Sequence, residues 1–360
     1  MVRAGVFTQT GQDKVEVRDV EVLGPDAGEV KVRLRAAGVC HSDISAMNGT
    51  LPQPPPSVLG HEGAGDVIEV GDGVDTLAEG DRVIALWSPP CGECASCMKD
   101  QSYMCLTAVI GNMTNPRFRV GDTPYFGMSG TGTFAEELTL PASSVVKVAD
   151  DVPYEVAALI GCGVMTGVSS VLNVASVQPG DSVAVVGAGG VGISVIQGAR
   201  VAGAATIVAI DKIERKLGWA KQFGATHAVT PDDSEDAKNE LTGGEGYDHV
   251  FEVVGAPATI RAAYDLTRRG GQTIIVGVGR ADEFVSFSPF ELFFTDRRIL
   301  PSVFGRARLP DDFHRMIALW REGKLDLEAM VTTRMPLEDV NEAFAALHSG
   351  EVIRQILTFD

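Results

Sequence analysis

The sequence predicts an α/β protein with two domains, one rich in β-strands and one built on a doubly wound parallel sheet. The chain has 360 residues, which is enough for two domains that each bury a core. Gly and Pro punctuate strand-like segments in the first part, whereas from about Gln178 short Val, Ile and Ala runs alternate with helical patterns. That alternation is typical of βαβ units, whose parallel strands are buried on both faces.

The β-rich part opens with a clear strand pattern. Over Glu29–Arg35, Val30, Val32 and Leu34 alternate with charged residues, as a strand with one buried face requires. Residues 51–56, Leu-Pro-Gln-Pro-Pro-Pro, cannot form a helix or a central strand because proline has no N–H to donate. We therefore expect a surface loop there that leads into the next strand.

The second part carries the elements of the parallel sheet. Strands are predicted at Ser182–Val186, Ala205–Ile210, His249–Val254 and Gln272–Gly277, and crossover helices at Val191–Ala202, Lys212–Phe223 and Ala258–Arg268. Towards the C-terminus the patterns predict helices near Asp311–Glu322 and Leu337–Ser349 and a strand over Val352–Phe359. We expect that strand to return to the first domain, so the predicted domains are 1–163 with 305–360, and 164–304.

Charge and hydropathy exclude several functions. The 30 Lys and Arg residues face 48 Asp and Glu residues, a formal net charge of -18, so nucleic acid is not an expected partner. Met1–Gln9 lacks the apolar run of a secretory signal, and we expect a cytoplasmic protein. The uncharged stretch Val156–Val177 is long enough to cross a bilayer, but Gly, Ser, Thr, Asn and Cys interrupt it. It is better explained as a buried helix and connection than as a membrane span.

A glycine-rich turn between a predicted strand and a predicted helix indicates a dinucleotide site. In Gly187-x-Gly189-x-x-Gly192 the glycines permit a tight turn, close approach of a pyrophosphate and close helix packing. Asp211 ends the next strand about 20 residues on, where a carboxylate can bind the adenosine ribose and repel a 2′-phosphate. The motif predicts a Rossmann domain that prefers NAD to NADP, although Lys212 weakens that preference and a turn that binds nothing is the alternative. The predicted cofactor residues are Gly187, Gly189, Gly190, Gly192 and Asp211.

Four of the six cysteines fall within fifteen positions, at Cys91, Cys94, Cys97 and Cys105. In a cytosolic chain such clustering favours a metal over disulfides. Four thiolates on one compact loop suit a closed tetrahedral zinc site with no position for a substrate, so its expected role is structural. An iron–sulfur cluster and a disulfide pair are the competing interpretations.

A second set of metal-binding residue types is scattered along the chain. Cys40 follows a strand, His61 stands in Gly60-His-Glu62, and Cys162 opens the second half. Two thiolates and one imidazole leave the fourth zinc position to water or an alcohol, as Lewis-acid catalysis needs. Spacing alone does not join these three residues, because a single His or Cys is more often a core residue than a ligand.

With these motifs in place, the chain resembles the zinc-containing medium-chain alcohol dehydrogenases over nearly its full length. Gly60-His-Glu-Gly-Ala-Gly65-x₅-Gly71-x-x-Val74 is similar to the zinc signature of that family, and the four-cysteine lobe and the nucleotide motif follow in the expected order. The resemblance implies a GroES-like catalytic domain, a Rossmann domain, an active site between them, NAD, and two zinc ions per chain. It makes Cys40, His61 and Cys162 the ligands of the catalytic zinc.

The resemblance also implies roles for residues around that zinc. Glu62 lies behind the metal and replaces a ligand transiently, and Asp43 orients the ligating imidazole. Ser42 bonds the alcohol and passes its proton through the cofactor ribose towards a histidine. This chain departs from the family there, because Ser45 stands where many relatives have that histidine. The proton then ends on water, on Ser45 or on another base. Without the resemblance, Ser42 would be interpreted as a turn residue.

Further cofactor contacts follow from the same resemblance. His41 and Arg354 are similar to cationic residues that contact the pyrophosphate, and Lys216 to one that contacts the adenosine ribose. Thr166 is similar to a neighbour of the nicotinamide, and Val191 to an apolar support behind its ring.

Two features bear on the substrate. Trp87 stands where relatives narrow the pocket, which favours flat or primary alcohols, although a core Trp is an equal alternative. The long Leu106–Thr133 region is similar to the dimeric class that includes glutathione-dependent formaldehyde dehydrogenases and aryl-alcohol enzymes. Gly49, Leu51 and Val109 stand near the places of the glutathione-binding residues, so we expect an ordinary aliphatic or aromatic alcohol. A thiol adduct such as S-hydroxymethyl mycothiol is the alternative.

The sequence also bears on the assembly of the protein and on two other classes of function. Arg297–Phe304 resembles the edge strand that joins two Rossmann sheets, which predicts a homodimer. A non-catalytic relative that keeps the fold for binding would lack the zinc ligands that this chain retains. A thiol-rich zinc store or redox sensor would require labile metal.

Overall fold

A computed structural model describes residues 1–359 of the chain. Its residues form two compact units, of which the first contains Met1–Cys162, Arg308–Ala318 and the C-terminal residues from Leu327. The second contains Gly163–Ala307 and Leu319–Asp326.

The first unit is built from strands, which form a closed barrel and a seven-stranded sheet. The barrel has the order β1-β2-β7-β8-β4, and the sheet has the order β10-β6-β5-β3-β18-β17 with β9 also paired to β3. These strands are β1 (Val2–Phe7), β2 (Glu16–Val22), β3 (Glu29–Val39), β4 (Ser57–Val58), β5 (Gly63–Val70), β6 (Arg82–Ala85), β7 (Phe118–Val120), β8 (Thr123–Gly127), β9 (Glu137–Pro141), β10 (Val145–Lys147), β17 (Val331–Pro336) and β18 (Arg354–Thr358).

The predicted first strand is the centre of this sheet. Val30, Val32 and Leu34 of β3 are buried in the main apolar core, while Lys31, Arg33 and Arg35 between and after them are half-buried or exposed. The C-terminal strand β18 pairs antiparallel with β3, with Gln355 opposite Val39. The two ends of the chain therefore meet in one sheet.

The second unit contains a six-stranded parallel sheet in the order β13-β12-β11-β14-β15-β16. This is the doubly wound order, in which the first strand lies at the centre and the order reverses beside it. The fold class is as predicted. The strands are β11 (Ser182–Val186), β12 (Thr206–Ile210), β13 (His227–Val229), β14 (Tyr247–Glu252), β15 (Thr267–Ile275) and β16 (Arg298–Pro301).

The helices connect these strands. Several predicted boundaries differ from the observed ones by one or two residues. The largest difference is at β15, which begins at Thr267, where a helix was expected to continue to Arg268 and the strand to begin at Gln272. The helices are α1 (His41–Asn48), α2 (Leu106–Met113), α3 (Tyr154–Leu159), α4 (Met165–Ser169), α5 (Gly190–Ala202), α6 (Glu214–Gln222), α7 (Ser234–Thr242), α8 (Pro257–Leu266), α9 (Pro289–Thr295), α10 (Asp311–Arg321) and α11 (Val340–Ser349).

The uncharged stretch Val156–Val177 lies largely in a helix from Tyr154 to Ala175 that contains two π-helical segments, Ile160–Val164 and Ser170–Ala175. By length and hydropathy it could cross a membrane, but 78% of its most apolar window is buried within the protein. Burial of this extent is what a core helix of an α/β protein requires.

Candidate active site and metal centres

Cys40 lies where β3 ends and α1 begins. Its backbone is extended, with φ −127° and ψ 155°, and its N–H donates to Asp43 Oδ2 at 2.8 Å. The side chain is buried at the N-terminal end of the helix, where the helix dipole favours a thiolate. A hydrogen bond from Cys162 lowers the pKa of the Cys40 thiol well below its usual value, against the opposing effect of burial.

Asp43 also orients His61. Its Oδ1 lies 3.0 Å from His61 Nδ1, and both side chains are buried. Although burial opposes protonation, the Asp43 carboxylate and Cys40 raise the pKa of His61 well above its usual value. His61 Nε2 is buried and has no hydrogen-bond partner within residues 1–359. A carboxylate on one ring nitrogen and a free second nitrogen is the usual arrangement of a metal-ligating histidine.

Cys162 completes the cluster from a π-helical segment. Cys162 lies in the wider turn over Ile160–Val164, and such π-turns are frequent at functional sites. One ligand atom from each of Cys40, His61, Glu62 and Cys162 lies within 4.8 Å of the others. The structure therefore brings together three residues that spacing alone did not join.

Glu62 and Arg354 form a buried ion pair beside the two thiols. Arg354 donates to Glu62 Oε2, and the two side chains are 5% and 0% exposed. A Cβ on Gly38 would lie 2.1 Å from the same carboxylate oxygen, so only glycine leaves room for the pair. Burial raises the pKa of Glu62 to about 7 despite the guanidinium. The sequence did not predict this pair, because its members are 292 positions apart.

The four-cysteine lobe has the dimensions of a zinc–thiolate site. Cys91 Sγ lies 3.9 Å from Cys97 Sγ, and Cys94 Sγ lies 3.8 Å from Cys105 Sγ. A tetrahedron with Zn–S bonds of about 2.3 Å has edges of about 3.8 Å, whereas a disulfide bond is about 2.05 Å long. All four ligand atoms lie within 4.8 Å of one another. The donor set fits one enclosed zinc ion.

The glycine-rich turn joins β11 to α5 in the second unit. A Cβ on Gly192 would lie 1.9 Å from the Gly187 carbonyl oxygen, whereas a Cβ on Gly189 would meet open space. Asp211 Oδ2 accepts the Ala188 N–H at 2.8 Å and lies 3.9 Å from Lys216 Nζ. The predicted acid is therefore held directly behind the turn. Gly190 and Val191 start α5, whose N-terminal amides suit a phosphate.

The remaining predicted residues occupy varied positions. Ser42 Oγ lies 3.7 Å from Cys40 Sγ, and Ser45 lies on the same helix, where its carbonyl oxygen accepts the Leu51 N–H. The exposed His41 ring is 6.2 Å from that of His348, a contact that the sequence did not indicate.

Trp87 and Thr166, the predicted neighbours of the substrate and the nicotinamide, lie in different units. Trp87 is half-buried two residues after β6. Thr166 lies on α4, which packs so closely on α5 that a Cβ on Gly167 would meet the Val191 carbonyl oxygen at 2.7 Å.

A doubly wound sheet with this turn, a closed thiolate lobe and a buried Cys/His cluster define a zinc-dependent, dinucleotide-linked oxidoreductase. Residues 26–150 match the family described as alcohol dehydrogenase GroES-like domain, and residues 190–322 match zinc-binding dehydrogenase. The chain therefore belongs to the zinc-containing medium-chain alcohol dehydrogenase family.

Individual relatives agree with this membership. The chain is 38% identical to S-(hydroxymethyl)glutathione dehydrogenase of Paracoccus denitrificans, over 99% of both chains. Among solved structures it resembles benzyl alcohol dehydrogenase from Acinetobacter calcoaceticus, with a TM-score of 0.92, 28% identity and coverage of 100% and 99%. It also resembles acetophenone reductase from Geotrichum candidum in complex with NAD, with a TM-score of 0.82, 28% identity and coverage of 99% and 97%.

Proposed function

We propose that the protein transfers a hydride between a primary alcohol or aldehyde, aliphatic or aromatic, and NAD, with catalysis at Cys40, His61 and Cys162. The observation that carries this proposal is the cluster of three zinc-type donors, of which Cys40 and His61 are buried and Cys162 is half-buried, backed by Asp43 and Glu62. Three donors leave a fourth position for the substrate, which distinguishes this cluster from the closed lobe.

Zinc, when bound, supplies the Lewis acidity that lowers the pKa of an alcohol, and NAD accepts the hydride. The residues of the chain prepare that chemistry. Asp43 fixes the tautomer of His61 so that Nε2 is free to ligate. Ser42 is placed beside the Cys40 sulfur, where its hydroxyl takes the substrate proton. Glu62 stays within reach of the metal as an exchangeable ligand, and its charge is balanced by Arg354.

The test combines metal content, NADH binding and turnover. We expect two zinc ions per wild-type chain and NADH formation from benzyl alcohol or 1-butanol. His61→Ala should lower the zinc content to one ion, abolish turnover and keep NADH binding, because the nucleotide turn lies in the other unit. Turnover by His61→Ala, or wild-type protein with two zinc ions that oxidises none of these alcohols, contradicts the proposal.

The cofactor preference is assigned to Asp211. Its carboxylate is 9% exposed and is held by main-chain N–H groups at 2.8 and 3.0 Å, so it cannot swing away from a 2′-phosphate. We also assign contacts with the pyrophosphate of NAD to His41 and Arg354, and a contact with its adenosine ribose to Lys216. Thr166 and Val191 are assigned to the nicotinamide.

We propose a primary alcohol as the substrate because Trp87 stands where relatives in the family narrow the pocket. A panel of benzyl alcohol, 1-butanol and 2-butanol tests this choice. Higher kcat/KM for 2-butanol than for the two primary alcohols would refute it. Trp87→Ala is the matched variant and should relax the discrimination.

A thiol adduct is a second candidate, favoured by the relative that acts on S-(hydroxymethyl)glutathione. Val109 on α2 stands near a position where an anionic tripeptide would need a cation, and residues 106–113 carry no charge. Assays with formaldehyde plus glutathione and with formaldehyde plus mycothiol decide between the candidates. Thiol-dependent NADH formation that exceeds the rate with benzyl alcohol would select the second.

For the assembly we propose a cytoplasmic homodimer, with domain boundaries at 163 and 305. The edge strand β16 pairs only with β15 within the part of the chain that the structure describes. Beside it in sequence, Phe284, Phe290 and Phe293 are 82%, 71% and 79% exposed, which is unusual for a monomer surface. Sedimentation equilibrium measures the mass, and a monomer at micromolar concentration would refute the dimer.

A further inference from the structure

Glu252 ends β14 at the carboxyl edge of the parallel sheet, next to the glycine-rich turn. It is in register with Val186 of β11, and the Val253 N–H donates to the Val186 carbonyl oxygen at 2.9 Å. The strand order reverses between β11 and β14, and dinucleotides bind at the carboxyl edge where this happens. Glu252 is 0% exposed, so it can affect a ligand at this edge only through its neighbours.

The carboxylate organises the loop that follows it. Glu252 Oε1 accepts the N–H of Val254 at 2.9 Å and that of Gly255 at 2.8 Å. The Thr259 hydroxyl lies 2.7 Å from the same oxygen. These bonds fold the chain back over its own carboxylate just before α8, whose N-terminal end favours a negative charge.

The loop is wedged between two other loops at the same edge. A Cβ on Gly187 would lie 2.9 Å from Val254 Cγ2, and a Cβ on Gly277 would lie 2.2 Å from the Gly255 nitrogen. Gly255 has φ +88°, a conformation that other residues rarely adopt. The Val254 side chain is nevertheless 51% exposed, so the wedged loop presents an apolar surface beside the nucleotide turn.

We propose that Glu252 is a positioning residue for the dinucleotide, which as a hydrogen-bond acceptor holds Val254 and Gly255 against the Gly187 turn. This inference rests on the proposed function, because it requires a dinucleotide at that turn. Glu252 Oε2 has no hydrogen-bond partner in residues 1–359, so one acceptor oxygen is sufficient for the role. Glutamine retains such an oxygen. Methionine has a similar length and accepts no comparable bond.

The test measures NADH binding by fluorescence in Glu252→Gln and Glu252→Met. The glutamine variant should bind NADH with a Kd within threefold of the wild-type value. The methionine variant leaves the Val254 and Gly255 N–H groups without that acceptor, so its Kd should rise at least tenfold. The KM for NAD should rise in parallel, while kcat at saturating NAD stays within threefold.

Asp248→Leu is the matched control. Asp248 lies on the same strand and also accepts three donors, from the Ser182 N–H, the Ser182 hydroxyl and Arg268, but outside the loop. The Asp248→Leu substitution should lower Tm and change the Kd for NADH less than twofold. If Glu252→Met does not fold, the exposed Val254→Ala replaces it and should raise the Kd about fivefold.

Four outcomes overturn the inference. The first is wild-type affinity for NADH in Glu252→Met, and the second is a loss of affinity in Asp248→Leu as large as that in Glu252→Met. The third is an equal loss of affinity in Glu252→Gln and Glu252→Met. The fourth, where Val254→Ala is used, is an unchanged Kd for NADH. Wild-type protein that binds no NADH would instead refute the proposed function.

Discussion

Tyr247 and Tyr264 are both fully buried in the nucleotide-binding unit, but they differ in their hydrogen bonds. The Tyr247 hydroxyl has no partner among the residues that the structure describes. The Tyr264 hydroxyl lies 2.9 Å from Thr295 Oγ1. An unsatisfied buried hydroxyl costs about 1–3 kcal/mol, whereas a satisfied one contributes about 1 kcal/mol. We expect Tyr247→Phe to raise the free energy of unfolding of this unit by about 1 kcal/mol at pH 8, and Tyr264→Phe to lower it by about 1 kcal/mol.

The benefit of Tyr247→Phe grows in alkaline solution. Burial, with a smaller effect of Glu235, raises the pKa of Tyr247 to about 12, whereas an unfolded tyrosine titrates near pH ~10. The unfolded chain loses this proton first, so the stability linked to the protonated phenol is complete below pH ~10 and is lost as the pH rises towards about 12. The difference between variant and wild type should therefore widen by about 1.4 kcal/mol per pH unit in that window.

Urea unfolding at pH 8 and at pH 11, followed by the fluorescence of Trp219 and Trp320 in this unit, measures both effects. Tyr264→Phe controls for the loss of a phenol. A Tyr247→Phe protein less stable than wild type at pH 8 would refute the argument from the unsatisfied hydroxyl. An unchanged difference at pH 11 would refute the argument from the pKa.

Three further changes test the metal and cofactor sites. Asp43→Asn keeps the shape of the side chain but removes the charge that orients His61, so the catalytic zinc should dissociate about 10–100-fold more readily, as measured by competition with a chelator. Cys94→Ser should leave one zinc ion per chain by elemental analysis and make the lobe over residues 91–113 sensitive to protease, whereas a retained second ion would contradict the four-thiolate site. Asp211→Gly should reduce the preference for NAD over NADP about tenfold, or ~1.4 kcal/mol, in kcat/KM, and an unchanged ratio would assign the discrimination elsewhere.

The sequence was most informative where structure is locally determined. β11 lies at the predicted positions, Ser182–Val186, because a short apolar run before a glycine turn has few alternatives. The four cysteines of the lobe could be grouped by spacing alone, because they lie within fifteen positions. By contrast, β13 was missed because it has three residues, and α7 was missed because it buries none of its side chains and so has no apolar period.

Long-range contacts could not be predicted from local patterns. The pairing of β3 with β5 places Gly38 beside Glu62, where the Gly38 N–H donates to the Glu62 carbonyl oxygen at 2.9 Å, and so brings Cys40 near His61. Cys162 joins them from a π-helical turn, and no local residue pattern predicts such a turn. Glu252 carries only a weak sequence signal, because an acid at the end of a buried strand three residues before a glycine does not by itself indicate a role.

The two metal centres differ in what holds their donors in place. In the lobe, α2 is apolar in sequence but buries none of its residues, and Leu106 and Ile110 are 63% and 55% exposed. Little apolar burial fixes that segment, so coordination itself has to stabilise it, as in small zinc domains. The donors of the proposed catalytic centre are fixed by other means: Cys40 by its bond to Asp43 and His61 by the same carboxylate. We therefore expect metal at the lobe to contribute to folding, and metal at the Cys40/His61 cluster to bind donors that hydrogen bonds to Asp43 already hold in place.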